Sequence, residues 1–182
     1  IPWKVSTLLD LMNRVDPFSK GYKKQRRKRH VLLCGEVHRD PLAYFLREFF
    51  HPERQMKIDK VVILCPWAPD PETAALMLLP QYETRVQWLR GSAMSDSDLA
   101  RAHVEIADCC FVMVDKRNQD TEETDSLAAL ITMSIGHWNP NIPIYTQAIL
   151  SSHAKRLLVS GAHAVACVEE IKLNILASSY ML

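Results

Sequence analysis

Glycine is scarce in this chain, five in 182 residues, and its five cysteines are odd in number and contain no C-x-x-C pair. So few glycines exclude a collagen-like repeat. From the cysteine pattern no disulfide framework and no zinc site are expected. Cys34, Cys65, Cys109, Cys110 and Cys167 sit in or beside apolar runs, as reduced core thiols do, and point to the cytosol. No apolar run approaches the roughly 18–20 residues needed to span a bilayer, and no charged n-region, apolar h-region and cleavage site open the chain, so a soluble piece is expected. Internal repeats and low-complexity tracts are also missing. What is present, 48% hydrophobic and 24% charged residues with ten prolines, describes one globular domain with a short appendage.

The net charge of +1 conceals a division: residues 1–30 carry +7 and the remainder −6. The basic excess is concentrated in Lys20-Gly-Tyr-Lys-Lys-Gln-Arg-Arg-Lys-Arg29, which lacks apolar periodicity and repels itself, so it reads as an extended linker. Ahead of it, Val5, Leu8, Leu9 and Met12 make a short amphipathic helical stripe. The expected organisation is a basic linker over 1–29, a domain over 30–168 and the start of a further helix over 169–182.

From residue 31 strand and helix signals alternate. Val31 to Gly35 is a buried-strand run ending on a turn glycine, and Asp40-Pro41 predicts an N-cap and first helical residue, with Leu42, Phe45, Leu46 and Phe49 on one helix face. Val61 to Cys65 and a helix from Asp70-Pro71 to about Leu79 repeat the unit. A third strand runs over Val86 to Leu89, before a helix capped near Ser95. Cys110 to Val114 precedes a long helix from Thr121 towards Ser134. Strand Ile142 to Gln147, helix Ser151 to Val159, strand Ala164 to Val168 and helix Glu169 to Met181 complete the series. Short loops between alternating elements demand parallel crossovers, so the fold class is α/β, a Rossmann-like, doubly wound, mainly parallel sheet.

Such a sheet invites a dinucleotide. The first strand-to-helix turn, Cys34-Gly-Glu-Val-His-Arg-Asp-Pro41, has one glycine and an anion, Glu36, where phosphate would lie. The second strand ends Leu64-Cys-Pro-Trp67, with no carboxylate for a ribose. Both oppose NAD, and the frame is expected without that ligand. No nucleophile elbow surrounds Ser92 or Ser95 near His103, and Cys109-Cys110 enters a buried strand, so no enzymatic activity is expected.

The stretch from Val86 to Asp108 runs strand, Gly91-Ser92, a helix with Leu99-x-x-Ala102, then Ile106-Ala-Asp108 entering the next strand. It resembles the RCK domains that regulate potassium channels and transporters. Asp98-Leu-Ala-Arg101 with Glu105-x-Ala-Asp108 is similar to the Slo family of ion-activated potassium channels, as are His30 to Gly35 and Tyr44 to His51, which resemble the opening of that family's first RCK domain. The resemblance implies a cytosolic gating module of an integral membrane channel, with residues 1–29 descending from the pore. Lys20, Lys23, Lys24, Arg26, Arg27, Lys28 and Arg29 would then lie under the inner leaflet, each worth about 1 kcal/mol against anionic lipid. A solvated linker is the plainer reading. Tyr22 alone does not make a base-stacking series, so nucleic acid is not expected.

By the same resemblance, Glu48 and Glu53, which flank His51, match acidic positions of a Ca2+ site whose other ligands lie beyond this chain. Two exposed glutamates are the ordinary alternative. Val61 to Pro66 is more similar to the sodium-activated branch, leaving Na+ as a second candidate. The family's Mg2+ site would need carboxylates where Lys60 and Gln87 stand, so none is expected. RCK domains assemble in rings, and the resemblance implies a homotetramer and a second RCK domain docked on the last helix. Leu127, Leu130 and Ile131, with Leu157 and Leu158, are the candidate assembly residues, the alternative being that they cover the sheet. A nucleotide-binding RCK domain of a transporter, a degenerate NAD-binding domain and a ligand-free scaffold are the other readings.

Overall fold

Strands that are buried on both faces must be apolar throughout, and that is how the first two are built. In the computed structural model, which describes residues 17–23, 29–54 and 58–179, β1 (His30–Gly35) and β2 (Lys60–Cys65) lie side by side, His30 opposite Lys60 and Cys34 opposite Leu64. With β3 (Val86–Arg90), β4 (Cys110–Met113), β5 (Ile144–Ala148) and β6 (Ala164–Cys167) they form one sheet in the order β3-β2-β1-β4-β5-β6, every pairing parallel. The order reverses between β1 and β4, the place where open α/β sheets form a crevice beyond the strands' carboxyl ends.

The two-residue period of each strand divides the core. Leu32, Cys34, Val62, Leu64 and Leu89 face the layer of α3 (Asp96–Arg101), α4 (Thr121–Trp138) and α5 (Ala154–Val159), where Leu99, Ile131, Ile135 and Leu157 are buried. Val31, Leu33, Val61 and Ile63 face α1 (Arg39–Phe49), which buries Leu42, Leu46 and Phe49, with α2 (Pro71–Met77) beside it. A last helix, α6 (Val168–Ser178), follows β6 and has no buried residue.

Several expected boundaries shift. Asp40 is not an N-cap: His38 holds that place in extended conformation, and Asp40 and Pro41 fall inside the first turn, where a proline N–H is not missed. Asp70 does cap α2, accepting the Thr73 N–H at 2.7 Å, but the helix stops at Met77 rather than Leu79. Ser95 precedes α3 without a side-chain cap, since its Oγ lies 3.0 Å from the Ser97 Oγ. Asp120 caps α4, which continues four residues past Ser134 to Trp138. The fifth strand starts at Ile144, the Ser151 helix opens with a 3-10 turn over Ser151–His153, and α6 begins at Val168. The amphipathic stripe from Val5 to Met12 lies outside the described residues.

Candidate functional site

The segment ahead of β1 is held against the domain at three places. Its first part is a 3-10 turn over Pro17–Ser19. Tyr22, inside the basic run, is 3% exposed and joins the core. Its N–H donates to the Arg101 carbonyl at 2.8 Å, its ring lies 4.6 Å from that of His30, and the Lys60 ammonium sits 5.7 Å above it. Burial, with the Asp59 charge behind it, pushes the Tyr22 phenol up. Arg101, at the end of α3, gathers the surroundings: its guanidinium donates to the Ser19 carbonyl, to the Arg90 carbonyl at 2.6 Å and to Asp98 Oδ1 at 2.8 Å. Gly91 gives this pair room, since a Cβ there would lie 2.7 Å from the Asp98 carboxyl carbon and push the Asp98 and Arg101 side chains aside. Arg29 then grips Asp108 with Nε at 2.9 Å and Nη2 at 2.7 Å, and its backbone N–H donates to Asp59 at 3.0 Å. The Gly-Ser, Asp-Leu-Ala-Arg and Ala-Asp motifs are therefore the anchorage for this segment.

The reversal crevice is the second region. Gly35 ends β1 at φ +97°, and a Cβ there would come 2.1 Å from the Met113 carbonyl, so only glycine fits. A cleft of ≈ 320 Å³ opens beside it, lined by Glu36, Asp115, Asn118 and Glu123 as well as apolar residues of α4 such as Leu127 and Leu130. One ligand atom each from Glu36, His38 and Asp115 fall within 4.8 Å of one another, the single such trio among the described residues. Burial raises the Asp115 carboxyl, but the Arg117 backbone N–H and the His38 and Arg117 charges outweigh it and hold the group below the ordinary carboxylate range.

Glu48, on α1, and Glu53, in the 3-10 turn Pro52–Arg54, are both exposed, as is His51 between them. Glu48 also edges a groove along α1 with Tyr44, Phe45 and Phe111. Lys60 opens β2 and Gln87 lies on β3, as the reading without Mg2+ placed them. Of the basic run, Lys20 and Lys23 are exposed, Arg29 is engaged by Asp108, and Lys24, Arg26, Arg27 and Lys28 lie outside the described residues. Among the assembly candidates Ile131 and Leu157 are buried within this chain and Leu127 packs partly against its core, so they cover the sheet; Leu130 and Leu158 stay half exposed. Ser92 and His103 do not pair: the Ser92 Oγ accepts the Met94 N–H and the His103 ring lies 2.8 Å from Glu105.

Sequence reasoning did not find the role of Tyr22 or the meeting of His38 with Asp115. Glu36 was visible as an anion in a phosphate position; Asp115 reaches it and His38 from the loop after β4.

Among solved structures, the human SLO3 gating ring superposes with a TM-score of 0.66 at 22% identity, over 85% of this chain and 27% of that one. The GsuK channel bound to NAD gives 0.57 at 16%, over 91% and 26%. The TrkA-N domain of the inner membrane protein ybaL from Escherichia coli gives 0.57 at 21%, over 84% and 98%. At these identities the likeness is one of fold, and the chain spans about a quarter of the first two proteins' chains. Residues 26–146, which include Arg29, Arg101, Asp108 and the crevice, match the family of the calcium-activated potassium channel slowpoke-like RCK domain, and this chain belongs to it.

Proposed function

We propose that this chain is the cytosolic regulatory domain of a ligand-gated potassium channel of the plasma membrane. It couples binding of an intracellular cation, Ca2+ ahead of Na+, to pore opening. The observation that carries the reading is the anchorage of residues 17–23 and Arg29 by Arg101, Tyr22 and Asp108. A segment descending from a pore can pull on a gate only if the body that moves is fastened to it, and a ligand shifts that body only by its differential affinity for two states. Glu48 and Glu53 supply part of a hard-cation site, to be completed by ligands outside this chain. Assembly into a homotetrameric ring, with a second RCK domain of the same polypeptide against α6, is supported by the exposure of Leu173, Ile175 and Leu176 on α6 and of Leu130 and Leu158. Lys20 and Lys23, exposed on the described part of the basic run, are placed to meet anionic lipid.

The test is calorimetry of the full-length channel with Ca2+, Na+ and Mg2+ separately. Ca2+ should bind and Glu48→Gln with Glu53→Gln should weaken it, while Mg2+ gives no heat at this domain. In the same channel Arg101→Lys, whose single ammonium cannot span the Ser19 and Arg90 carbonyls together, should leave binding intact and reduce the opening it drives. Silence with all three ions would leave a ligand-free scaffold. Stoichiometric retention of NAD, to which the GsuK channel is bound in its structure, would instead favour the nucleotide-binding reading.

A further inference from the structure

From the reversal crevice we infer a second cation site: Glu36, His38 and Asp115 form a three-ligand centre for a first-row divalent cation, zinc above all, with Arg117 as the built-in cation that competes for it. It is separate from Glu48 and Glu53 and does not depend on what they bind. Glu36 and His38 leave the end of β1 and Asp115 follows β4, so the strand reversal itself brings the donors together. The His38 Nε2 lies 3.4 Å from Asp115 Oδ2 and 3.8 Å from Glu36 Oε2. Tetrahedral bonds of about 2.0–2.1 Å to one ion put donor atoms about 3.3 Å apart, so the first edge fits and the second is long by about half an ångström. One imidazole and two carboxylates suit zinc, cobalt or manganese better than Ca2+, which asks for six to eight oxygens.

The second observation is what the cluster already holds. The Arg117 guanidinium approaches both ring nitrogens of His38, Nδ1 at 2.7 Å and Nε2 closer still, and its Nε lies 3.3 Å from Asp115 Oδ1. A guanidinium carries donors and no lone pair, so its seat between His38 and Asp115 shows that a cation is already accommodated among these side chains. Asp115 turns one oxygen to Arg117 and the other to His38, and can keep the second for a metal. Arg117 is on an exposed loop with 69% of its side chain accessible, free to swing into water when an ion takes its place. The bound ion would clamp the turn before α1 to the loop after β4.

The five thiols are the rival ligands. Burial pushes Cys109 up to about 11 and also raises Cys65 and Cys110, which keeps these protonated and poor in metal affinity. The experiment titrates the 182-residue chain with Zn2+ by calorimetry and with Co2+ by absorption, at neutral pH. One equivalent should bind with nitrogen and oxygen donors. His38→Gln or Asp115→Asn should weaken it about tenfold or more, and Arg117→Ala, which removes the competitor, should tighten it severalfold. Glu48→Gln and Glu53→Gln should leave it unchanged, so this site and the proposed Ca2+ site stand or fall separately. Absence of binding, affinity indifferent to His38 and Asp115, or a thiolate-to-cobalt charge-transfer band at the first equivalent would each overturn it. Thermal unfolding without metal checks that each variant is folded; if His38→Gln is not, Asp115→Asn and Arg117→Ala decide.

Discussion

Asp125 on α4 holds Nδ1 of His153 at 2.9 Å across the crossover that follows β5. Its carboxylate is fully buried and also accepts the N–H groups of Ile149 at 2.9 Å and Leu150 at 3.1 Å, so one side chain closes the turn that leaves the sheet. Nε2 of His153 faces Glu122 at 3.0 Å, and Arg156 reaches the same glutamate at 2.9 Å. Asp125→Ala would strand the two part-buried backbone donors and the imidazole, at a cost of up to about 1–3 kcal/mol for each group left without a partner. Urea unfolding should show a loss of about 3 kcal/mol or more, while Glu122→Gln, at the exposed end of the chain of contacts, should cost less than about 1 kcal/mol. Equal effects would mean the buried carboxylate is not the staple.

Two glycines in left-handed backbone allow space and strain to be separated. Gly35 at φ +97° has the Met113 carbonyl where a Cβ would go, whereas Gly161 at φ +104° has nothing within 4 Å. Gly161→Ala should cost only the backbone strain, about 1 kcal/mol. Gly35→Ala adds a collision with a backbone atom of β4, which cannot yield without parting the central strands, and should cost about 3 kcal/mol or more. The two thermal midpoints compare them directly. A Gly35 variant no worse than the Gly161 variant would contradict the close approach of β1 to β4.

β1 and β2 were legible because burial on both faces made their apolar runs continuous, and Asp70-Pro71 was legible because its cap is local, three residues from the N–H it receives. Asp40-Pro41 looked the same and is not a cap. The Asp40 carboxylate pairs with Arg39 at 2.7 Å, and proline is tolerated at several places in a first turn. Tyr22 was hidden in a run of like charge, where no periodicity marks a buried ring; what buries it is Arg101, His30 and Lys60, which a linear reading cannot bring together. His38 and Asp115 likewise meet only because β4, and not a sequence neighbour, lies on the other side of β1. The helix stripes gave a face but not its partner: Ile131 and Leu157 turned out to serve the sheet.

His30 supplies the pH dependence. Its ring is 1% exposed, with Nε2 3.2 Å from the Ala102 carbonyl. Burial lowers its pKa below the ordinary 6.5, although the Ala102 carbonyl and the charges of Asp108 and Glu105 resist, and His103 adds to the lowering. The unfolded chain therefore takes a proton at His30 more readily than the folded one. Stability from this group is complete above about pH 6.5 and is lost as pH falls towards the folded value. Asp70, Glu105 and Asp115 are held below their ordinary values and lose their contributions only in more acid solution. His30→Gln keeps a side-chain N–H for the Ala102 carbonyl and removes the titration. Denaturant midpoints between about pH 7.5 and 5.5 should thus fall more steeply for the native chain than for the variant, whatever the other histidines add to both. Parallel slopes would show that His30 accepts a proton in place, and that the contact between Tyr22 and His30, and with it the anchorage ahead of β1, is looser than the geometry describes.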